Sequence, residues 1–356
     1  MSAETALGNS KTRLTDLAEQ AGVSTATVSR VLNGKPGVAS ATRQAVLAAL
    51  DVLGYERPEK LRTRSAGLVG LIVPELSNPV FPAFAQTIEG LLSQQGYTTM
   101  LCTQSPGGTT EDAYIEVLQE HQVDGIIFVA GLHADVTANR ERYQTLLARP
   151  VPLVFINGYA DDIAAPFITC DDFAAMDLAV RHLSSLGHHK IGLATGPTRF
   201  TTSARKVAGF EQALKEHLGI TATEQHIATS LYTVEGGQAA AGKLLDQGFT
   251  AIVCASDIMA LGAARAARQR GLEIPKDVSI IGFDDSPLIA FTDPPLTTIR
   301  QPVEPMSLAT VSALRAQIEG GDVPLGELMF FPELIVRNST GTSPDARHHD
   351  YRSDSN

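Results

Sequence analysis

Tryptophan is absent from this sequence, and cysteine is scarce, with three residues among 356. Cys102, Cys170 and Cys254 lie far apart in apolar surroundings. An odd number of widely spaced cysteines argues against a disulfide framework and against a cysteine metal site. We therefore expect three buried thiols in a protein of the reducing cytoplasm.

Long apolar runs are also missing. No run reaches the roughly 18 residues that a membrane span needs, and the polar N-terminus has no apolar signal core. The sequence therefore predicts neither a membrane partner nor export. Residues 1–10 and 341–356 are polar and are expected to be disordered. The C-terminal segment has no leucine heptads, which argues against a tetramerising coiled coil.

Motifs of common enzyme classes are absent as well. The sequence has no GxSxG elbow, no P-loop and no HExxH pair, and Gly67 and Gly70 are too few for a dinucleotide fingerprint. The adjacent pairs His188–His189 and His348–His349 chelate a metal poorly, because neighbours on a strand point to opposite faces. We expect no catalytic residues, no cofactor and no metal.

Charge is unevenly distributed along the chain, whose net charge is −11. Residues 1–65 carry a net charge of +3, and residues 66–356 carry −14. A basic end on an acidic body confines phosphate contacts to that end. The pattern favours an N-terminal unit that binds nucleic acid and a body that repels it.

The segment LTDLAEQAGVSTATVSRVLNG, residues 14–34, has the pattern of a helix-turn-helix. Leu17 and Ala18 are the expected buried positions of its first helix. Gly22 ends that helix, because glycine adopts the left-handed conformation without strain. Ser24 is a suitable N-cap for the second helix.

The second helix has one apolar stripe, formed by Val28, Val31 and Leu32 at i, i+3 and i+4. Its opposite face offers small polar groups and an arginine fork that can read a guanine edge in the major groove. The residues of that face are Thr25, Ala26, Ser29 and Arg30. A plain αα-hairpin is the alternative, but the turn chemistry and the outward face agree with DNA reading.

A third helix is expected over Ala41–Leu53, capped by Ser40 and ended by Gly54. Three short helices make a compact DNA-binding domain over residues 12–56. A hinge or linker follows over residues 57–66.

Residues 67–340 alternate short apolar runs with amphipathic helices. The expected strands are Gly67–Val73, Tyr97–Thr103, Gly125–Val129, Val151–Ile156, Lys190–Ala194, Ala251–Cys254, Val278–Gly282 and Leu296–Ile299. Helices are expected between these strands, for example Pro82–Gln95, Thr110–His121, Asp172–Leu186, Ser203–His217, Gly236–Gln247 and Asp257–Arg270. This alternation is typical of parallel sheets covered on both faces. It predicts an α/β body of two doubly wound subdomains, with a ligand cleft at the carboxyl ends of their strands.

Along nearly its whole length the sequence resembles the LacI/GalR family of bacterial transcription regulators. Besides the helix-turn-helix, the matching stretches are LVGLIVPELSNPVF, VDGIIFVAG, HLSSLGHHKIGLATGP, IVCASDIMALGAARAARQRGLEIPKDVSIIGFDDSP and DPPLTTIRQP. The resemblance implies a body like the periplasmic binding proteins, effector binding and dimerisation. The stretch RSAGLVGLIVPELSNPVFPAFAQTIEG looks especially like regulators of maltose and maltodextrin use in actinobacteria.

On the DNA side, the resemblance implies that Thr25, Ala26 and Arg30 face bases. Further positions match residues that touch phosphates or flank the groove, namely Thr15, Ser24, Asn33, Val38 and Thr42.

Leu61 matches a leucine that, in this family, wedges into the minor groove from a hinge helix formed on DNA. The chain departs from the family pattern here, because Tyr55 and Leu61 are six residues apart rather than the usual nine, with a proline between them. The alternative is a flexible basic linker that carries Lys60, Arg62 and Arg64.

In the body, the resemblance implies aromatic side chains that stack on the effector and polar strand ends that bind its hydroxyls. The matching positions are Phe81, Asn157, Tyr232, Ser256, Asp257 and Asp284. The family's usual arginine before the AGF turn is replaced by Lys206, with Arg205 adjacent. Lysine is a point charge rather than a fork, so bidentate recognition is weaker. Phe81 can equally belong to the core instead of the cleft. Asp285 can equally cap a loop or a helix instead of contacting the ligand.

Together these features favour a ligand-responsive repressor that binds a pseudo-palindromic operator as a homodimer. The expected effector is a neutral sugar of the maltose or maltodextrin kind. The alternatives are a sugar-binding protein without DNA function, a co-repressor-dependent regulator of another pathway, and an enzyme of sugar metabolism.

Overall fold

The computed structural model describes residues 14–33, 35, 37–55, 66–104, 107–149 and 151–345. The chain divides into two compact units, and the boundary lies between Ala66 and Gly67. We call the first unit the headpiece and the second the body. Leu61, predicted to enter the minor groove, and its basic neighbours lie outside the described residues.

Three helices form the headpiece: α1 over residues 14–21, α2 over Thr25–Leu32 and α3 over Ser40–Val52. The predicted turn chemistry is confirmed, since Gly22 has a φ of +64° and Ser24 Oγ accepts from Thr27 N at 3.2 Å. The core consists of Leu17, Ala18, Val28, Val31, Val46, Ala49 and Leu50. The predicted apolar stripe of α2 therefore faces this core.

Ser40 was expected to cap α3, and this prediction is wrong. Ser40 is the first helical residue, and Ala39 occupies the N-cap position without a side-chain hydrogen bond. Packing of Val46, Ala49 and Leu50 in the headpiece core stabilises the helix.

Two six-stranded sheets form the body. The strands are β1 Gly67–Val73, β2 Tyr97–Thr103, β3 Gly125–Val129, β4 Leu153–Ile156, β5 Pro166–Cys170, β6 Ile191–Thr195, β7 Ile227–Thr229, β8 Ala251–Cys254, β9 Ser279–Asp284, β10 Thr297–Arg300, β11 Gly326–Phe330 and β12 Glu333–Ile335. The first sheet has the order β11-β5-β4-β3-β1-β2, and the second has the order β12-β10-β9-β8-β6-β7. All recorded pairings are parallel except that of β10 with β12.

Helices cover both sheets. They are α4 Val80–Gln94, α5 Glu111–Glu120, α6 Glu141–Leu147, α7 Asp172–Ser185, α8 Thr201–Leu218, α9 Val234–Asp246, α10 Asp257–Gln269 and α11 Val303–Ile318. We call the first sheet with α4, α5, α6 and α11 the N-lobe, and the second sheet with α7 to α10 the C-lobe. The chain passes between the lobes three times: after β5, after β10 and after β11.

The predicted fold of two α/β subdomains is confirmed, and each predicted strand and helix of the body is present within a few residues of its expected ends. The predicted strands did not include β5, β7, β11 or β12, and the antiparallel pairing of β12 was not foreseen. All three cysteines are buried and free, as expected. No helix in the described part of the chain has the length and apolar composition needed to cross a bilayer.

The segment after β12 is ordered further than expected. Gly341 O accepts from His188 Nε2 at 3.0 Å, and Ser343 N donates to Leu186 O at 2.8 Å. His188 is buried, and its ring also binds the hydroxyls of Thr250 and Ser279. Predicted disorder is therefore wrong for residues 341–345, because the backbone groups of Gly341 and Ser343 find partners on the C-lobe. Residues 346–356 lie outside the described residues.

Candidate functional site

The outward face of α2 is the candidate DNA-reading surface of the headpiece. Thr25, Ala26 and Arg30 are exposed, and Ser29 is half-buried. Since Val28 and Val31 on the opposite face are fully buried, the orientation of the helix in the headpiece is fixed. The surface presents two hydroxyls, two methyl groups and one guanidinium.

The positions predicted to touch phosphates differ in their surroundings. Thr15 and Asn33 are exposed, whereas Val38 and Thr42 are half-buried. Asn33 Nδ2 donates to Ser29 O at 2.8 Å, so the Asn33 amide already has a role at the end of α2. Val38 packs against the headpiece core.

In the body, a cavity of about 230 Å³ lies between the two lobes. Strand ends and helix starts from both lobes form its wall. Six of the predicted effector residues line it: Phe81, Asn157, Lys206, Tyr232, Ser256 and Asp284. Arg205 and Asp257 are not part of the lining.

Lys206 is buried in this cavity and forms an ion pair with Asp172, the first residue of α7. Its Nζ atom also lies 4.0 Å from the centroid of the Phe283 ring. Burial lowers the pKa of the Lys206 ammonium, but the Asp172 carboxylate outweighs that effect and raises it. Lys206 therefore stays charged, and its charge is balanced by a protein carboxylate.

A chain of hydrogen bonds joins the lobes across the cavity. Gln301 Nε2 donates to Asp284 Oδ1 at 2.6 Å, and Asn157 Nδ2 donates to Gln301 Oε1 at 3.2 Å. Asn157 Oδ1 in turn accepts from Cys170 N at 3.2 Å. Burial raises the pKa of Asp284 well above its ordinary value, and the nearby Asp257 carboxylate raises it further. The chain links the end of β9 to the ends of β4 and β5.

Tyr232 lines the cavity with a ring held at two points. The ring lies against Gly196, where any side chain would overlap it. The Tyr232 hydroxyl is 2.8 Å from Ser203 Oγ on α8. The cavity therefore has one rigid aromatic surface of the kind that suits the C–H face of a sugar.

Ser256 is both a lining residue and a helix cap. Its Oγ accepts from Met259 N at 3.3 Å at the start of α10. Phe81 is half-buried and packs against the body core. Both side chains thus have a structural role beside the predicted contact with an effector.

Arg205 connects the lobes outside the cavity. Its guanidinium pairs with Glu327 on β11, and the second contact of this pair, Nη2 to Oε2, is 3.0 Å long. Its Cζ atom also lies 5.6 Å from the centroid of the Tyr159 ring. The expectation that Arg205 faces the effector overlooked this partner, because Glu327 lies on a strand that was not predicted.

Asp257 is buried beneath the cavity wall. Its carboxylate accepts from Ser286 N at 2.6 Å and from Thr298 Oγ1 at 2.7 Å. Burial raises the pKa of Asp257 to about 6. Asp257 therefore holds the loop after β9 instead of lining the cleft.

Among the polar lining residues that the sequence reasoning did not identify, Asp172 and Gln301 take part in the contacts described above. Both are polar residues just after a buried strand, at points where the chain crosses between the lobes. Asp172 follows β5, which was not predicted. Gln301 stood in the motif DPPLTTIRQP, and the same strand-end signal that marks Asn157 could have identified it.

Comparisons with known proteins agree with this architecture. Residues 13–58 match the model of bacterial regulatory proteins of the lacI family, and residues 180–340 match that of a periplasmic binding protein-like domain. The HTH-type transcriptional regulator reg1 of Streptomyces lividans is 60% identical over 340 residues, which cover 94% of this chain and 99% of that protein. The HTH-type transcriptional regulator MalR of Streptomyces coelicolor is 60% identical over 339 residues, which cover 94% of this chain and 98% of that protein.

Solved structures match the headpiece and the body together. A complex of the transcriptional regulator CelR with cellobiose has a TM-score of 0.65 at 28% identity, covering 92% of this chain and 99% of that chain. The Lac repressor dimer bound to operator and the anti-inducer ONPF has a TM-score of 0.65 at 27% identity, covering 92% and 98%. These relatives are transcription regulators and not enzymes. From its helix-turn-helix to its two-lobed body, the chain belongs to the LacI family of bacterial regulatory proteins and is a DNA-binding transcription regulator.

Proposed function

We propose that this protein represses transcription as a homodimer on a pseudo-palindromic operator, and that a neutral sugar in the cavity controls it. The observation that carries the proposal is the lining of the cavity. It combines the Tyr232 ring with hydrogen-bonding groups of both lobes, including Asp284, Asn157 and Gln301. Because both lobes contribute, a ligand can bind one arrangement of the lobes better than another, which is what control requires.

The charges of the lining favour a neutral ligand. Among the described lining residues Lys206 is the only cation, and Asp172 balances it. A phosphate group would therefore meet no unbalanced positive charge, and it would lie near Asp284. Sugar hydroxyls both donate and accept, so they suit this mixture of carboxylate, amide and hydroxyl groups. An α-glucoside such as maltose or a short maltodextrin fits these groups.

The relatives support the same class of ligand. One of them carries the name MalR, and the CelR structure is a complex with cellobiose. The Lac repressor structure is a dimer bound to operator. One headpiece covers only a few base pairs, which is too few for a specific site, so two headpieces must act together.

Titration calorimetry with maltose, maltotriose, glucose 6-phosphate and hypoxanthine tests the ligand class. We expect the two neutral sugars to bind and to weaken operator binding in a fluorescence anisotropy assay. Tyr232→Ala and Asp284→Asn should abolish this response and leave operator affinity unchanged, because both residues belong to the body. Tyr97→Phe, on β2 and outside the lining, is the control. Binding of the phosphate or the purine without binding of either sugar would refute the proposal.

A further inference from the structure

Two neighbouring contacts connect the end of β9 and the residue after it to the end of β10 and the residue after it. In the first, Asp284 accepts from Gln301, as described above. In the second, the next residue, Asp285, accepts from Arg300 Nε at 2.7 Å. Since β9 and β10 are parallel neighbours with Asp284 opposite Arg300, two consecutive residues of one strand end bind two consecutive residues of the other.

Asp285 is held by a second arginine. Arg337 Nη2 donates to Asp285 Oδ1 at 2.6 Å, and Arg337 Nη1 donates to Leu296 O at 2.8 Å. The side chain of Asp285 is 9% exposed. Both carboxylate oxygens thus accept charge-assisted hydrogen bonds, which are the strong kind in proteins. Asp285 does not line the effector cavity.

The backbone at this loop adopts a conformation that side chains disfavour. Asp284 has a φ of +117° and Asp285 a φ of +59°, so two consecutive residues with side chains lie at positive φ. Such a conformation persists only where surrounding contacts enforce it. The arginine pairs of Asp285, together with the bond from Ser286 N to Asp257, supply those contacts.

We propose that Asp285 is a positioning residue, which with Arg300 and Arg337 fixes Asp284 toward the effector and toward Gln301. Gln301 follows Arg300 directly and begins the crossing from the C-lobe to α11 of the N-lobe. A shift of the Asp284 carboxylate on effector binding is therefore transmitted through Gln301 to the segment that connects the lobes. The inference rests on the proposed function, because it assigns Asp285 a role at that same cavity.

The variant Asp285→Asn tests the role, since it keeps the size of the side chain and removes its charge. We expect at least a tenfold loss of affinity for maltose in calorimetry and no change in operator affinity without sugar. We also expect faster amide exchange in peptides that cover residues 284–303. Arg300→Lys keeps a positive charge near Asp285, whereas Arg300→Gln removes it. Arg300→Lys should therefore retain more of the maltose affinity than Arg300→Gln.

Asp246→Asn is the matched control. The Asp246 carboxylate accepts from Arg270 Nε at 2.8 Å and from Arg270 Nη2 at 2.9 Å, in the same lobe but away from the cavity. This variant should change neither the maltose affinity nor the exchange of residues 284–303.

Three results would overturn the inference. One is wild-type maltose affinity in Asp285→Asn. Another is exchange that accelerates throughout the C-lobe, including β6 and β7, because that pattern indicates general destabilisation. The third is unchanged exchange across residues 284–303. If the wild-type protein binds no sugar, the proposed function fails, and the exchange measurement alone then decides the role of Asp285.

Discussion

Arg30 is the residue of the DNA-reading surface with the greatest capacity to discriminate bases. It is exposed in the last turn of α2, and its planar fork can bind a guanine edge through two hydrogen bonds. Arg30→Ala is expected to cost about 1–3 kcal/mol of operator binding and to relax base choice at one position in each half-site. Competition binding against a set of single-base operator variants measures both effects.

Lys35→Ala is the control for this experiment, because Lys35 is an exposed cation close to the end of α2. Its loss should weaken binding to all sequences alike and reduce the salt dependence. An equal loss on operator and on random DNA for Arg30→Ala would mean that Arg30 touches phosphate only.

Asp257 gives the free energy of unfolding a definite pH dependence. Burial raises its pKa to about 6 in the folded protein, from an ordinary value of 3.8. The folded state then binds more protons than the unfolded state between these values, so stability falls as the pH rises through this window. Relative to Asp257→Asn, the wild type should lose on the order of 1–3 kcal/mol between about pH 4 and pH 6 in urea unfolding.

The exposed Asp246 should show the opposite sign. Its pairing with Arg270 lowers its pKa, so the stabilisation from this carboxylate is lost as the pH falls. Wild type and Asp246→Asn should therefore converge in acid. If the stability of the wild type and of Asp257→Asn also converged in acid, Asp257 would be ionised in the folded protein over the whole pH window.

At the scale of elements, α9 and α10 pack with their backbones in contact. A side chain at Gly262 would overlap Val234 O and Gln238 N, and one at Gly237 would overlap the backbone of Met259. Backbone atoms cannot move aside as a side chain can. Gly262→Ala is therefore expected to destabilise the body by about 2–4 kcal/mol, although alanine favours helices.

Gly90 in the middle of α4 provides the comparison, because a side chain there would meet no atom within 4 Å. Gly90→Ala should stabilise the protein by about 0.5–1 kcal/mol through helix propensity and a less flexible unfolded chain. Thermal unfolding of the two variants should shift in opposite directions. A stabilising Gly262→Ala would contradict the close approach of the two helices.

Most strands that could be predicted from the sequence are buried; the exception is β2, a half-exposed edge strand of seven residues. Strands such as β1 and β8 are continuous apolar runs, because parallel strands covered on both faces exclude polar residues. The missed strands β7, β11 and β12 are short edge strands with exposed positions, so their sequences carry no such run. β5 is buried, but it was missed because proline at its start is not typical of a central strand.

Part of the candidate site could also be predicted. Tyr232 and Asp284 could be placed at the cavity because each lies in a recognisable motif. The pairing of Lys206 with Asp172, and of Arg205 with Glu327, depends on which strands lie side by side, and local sequence does not encode that order. The outward face of α2 could be predicted, because the periodicity of one helix determines which residues face away from the core.

For the whole molecule, control by a sugar implies reciprocal coupling between the cavity and the DNA. If the sugar changes operator affinity by a given factor, operator must change sugar affinity by the same factor, typically equivalent to about 1–3 kcal/mol. The test measures maltose affinity with and without saturating operator, and operator affinity with and without maltose. The two affinity ratios should be equal. Unequal factors would show that an unaccounted state, such as dissociation of the dimer, takes part.

The three crossings between the lobes also determine when the protein can begin to act during its synthesis. Residues of the headpiece are contiguous, whereas each sheet of the body needs an edge strand from the end of the chain, β11 for one and β12 for the other. At about 5–20 residues per second, these strands leave the ribosome roughly 15 s or more after the headpiece. A nascent chain thus has a complete headpiece long before it has a complete body. A stop codon after residue 320 should remove the last strand of both sheets at once and leave a protease-resistant headpiece on an unfolded body, which limited proteolysis would detect.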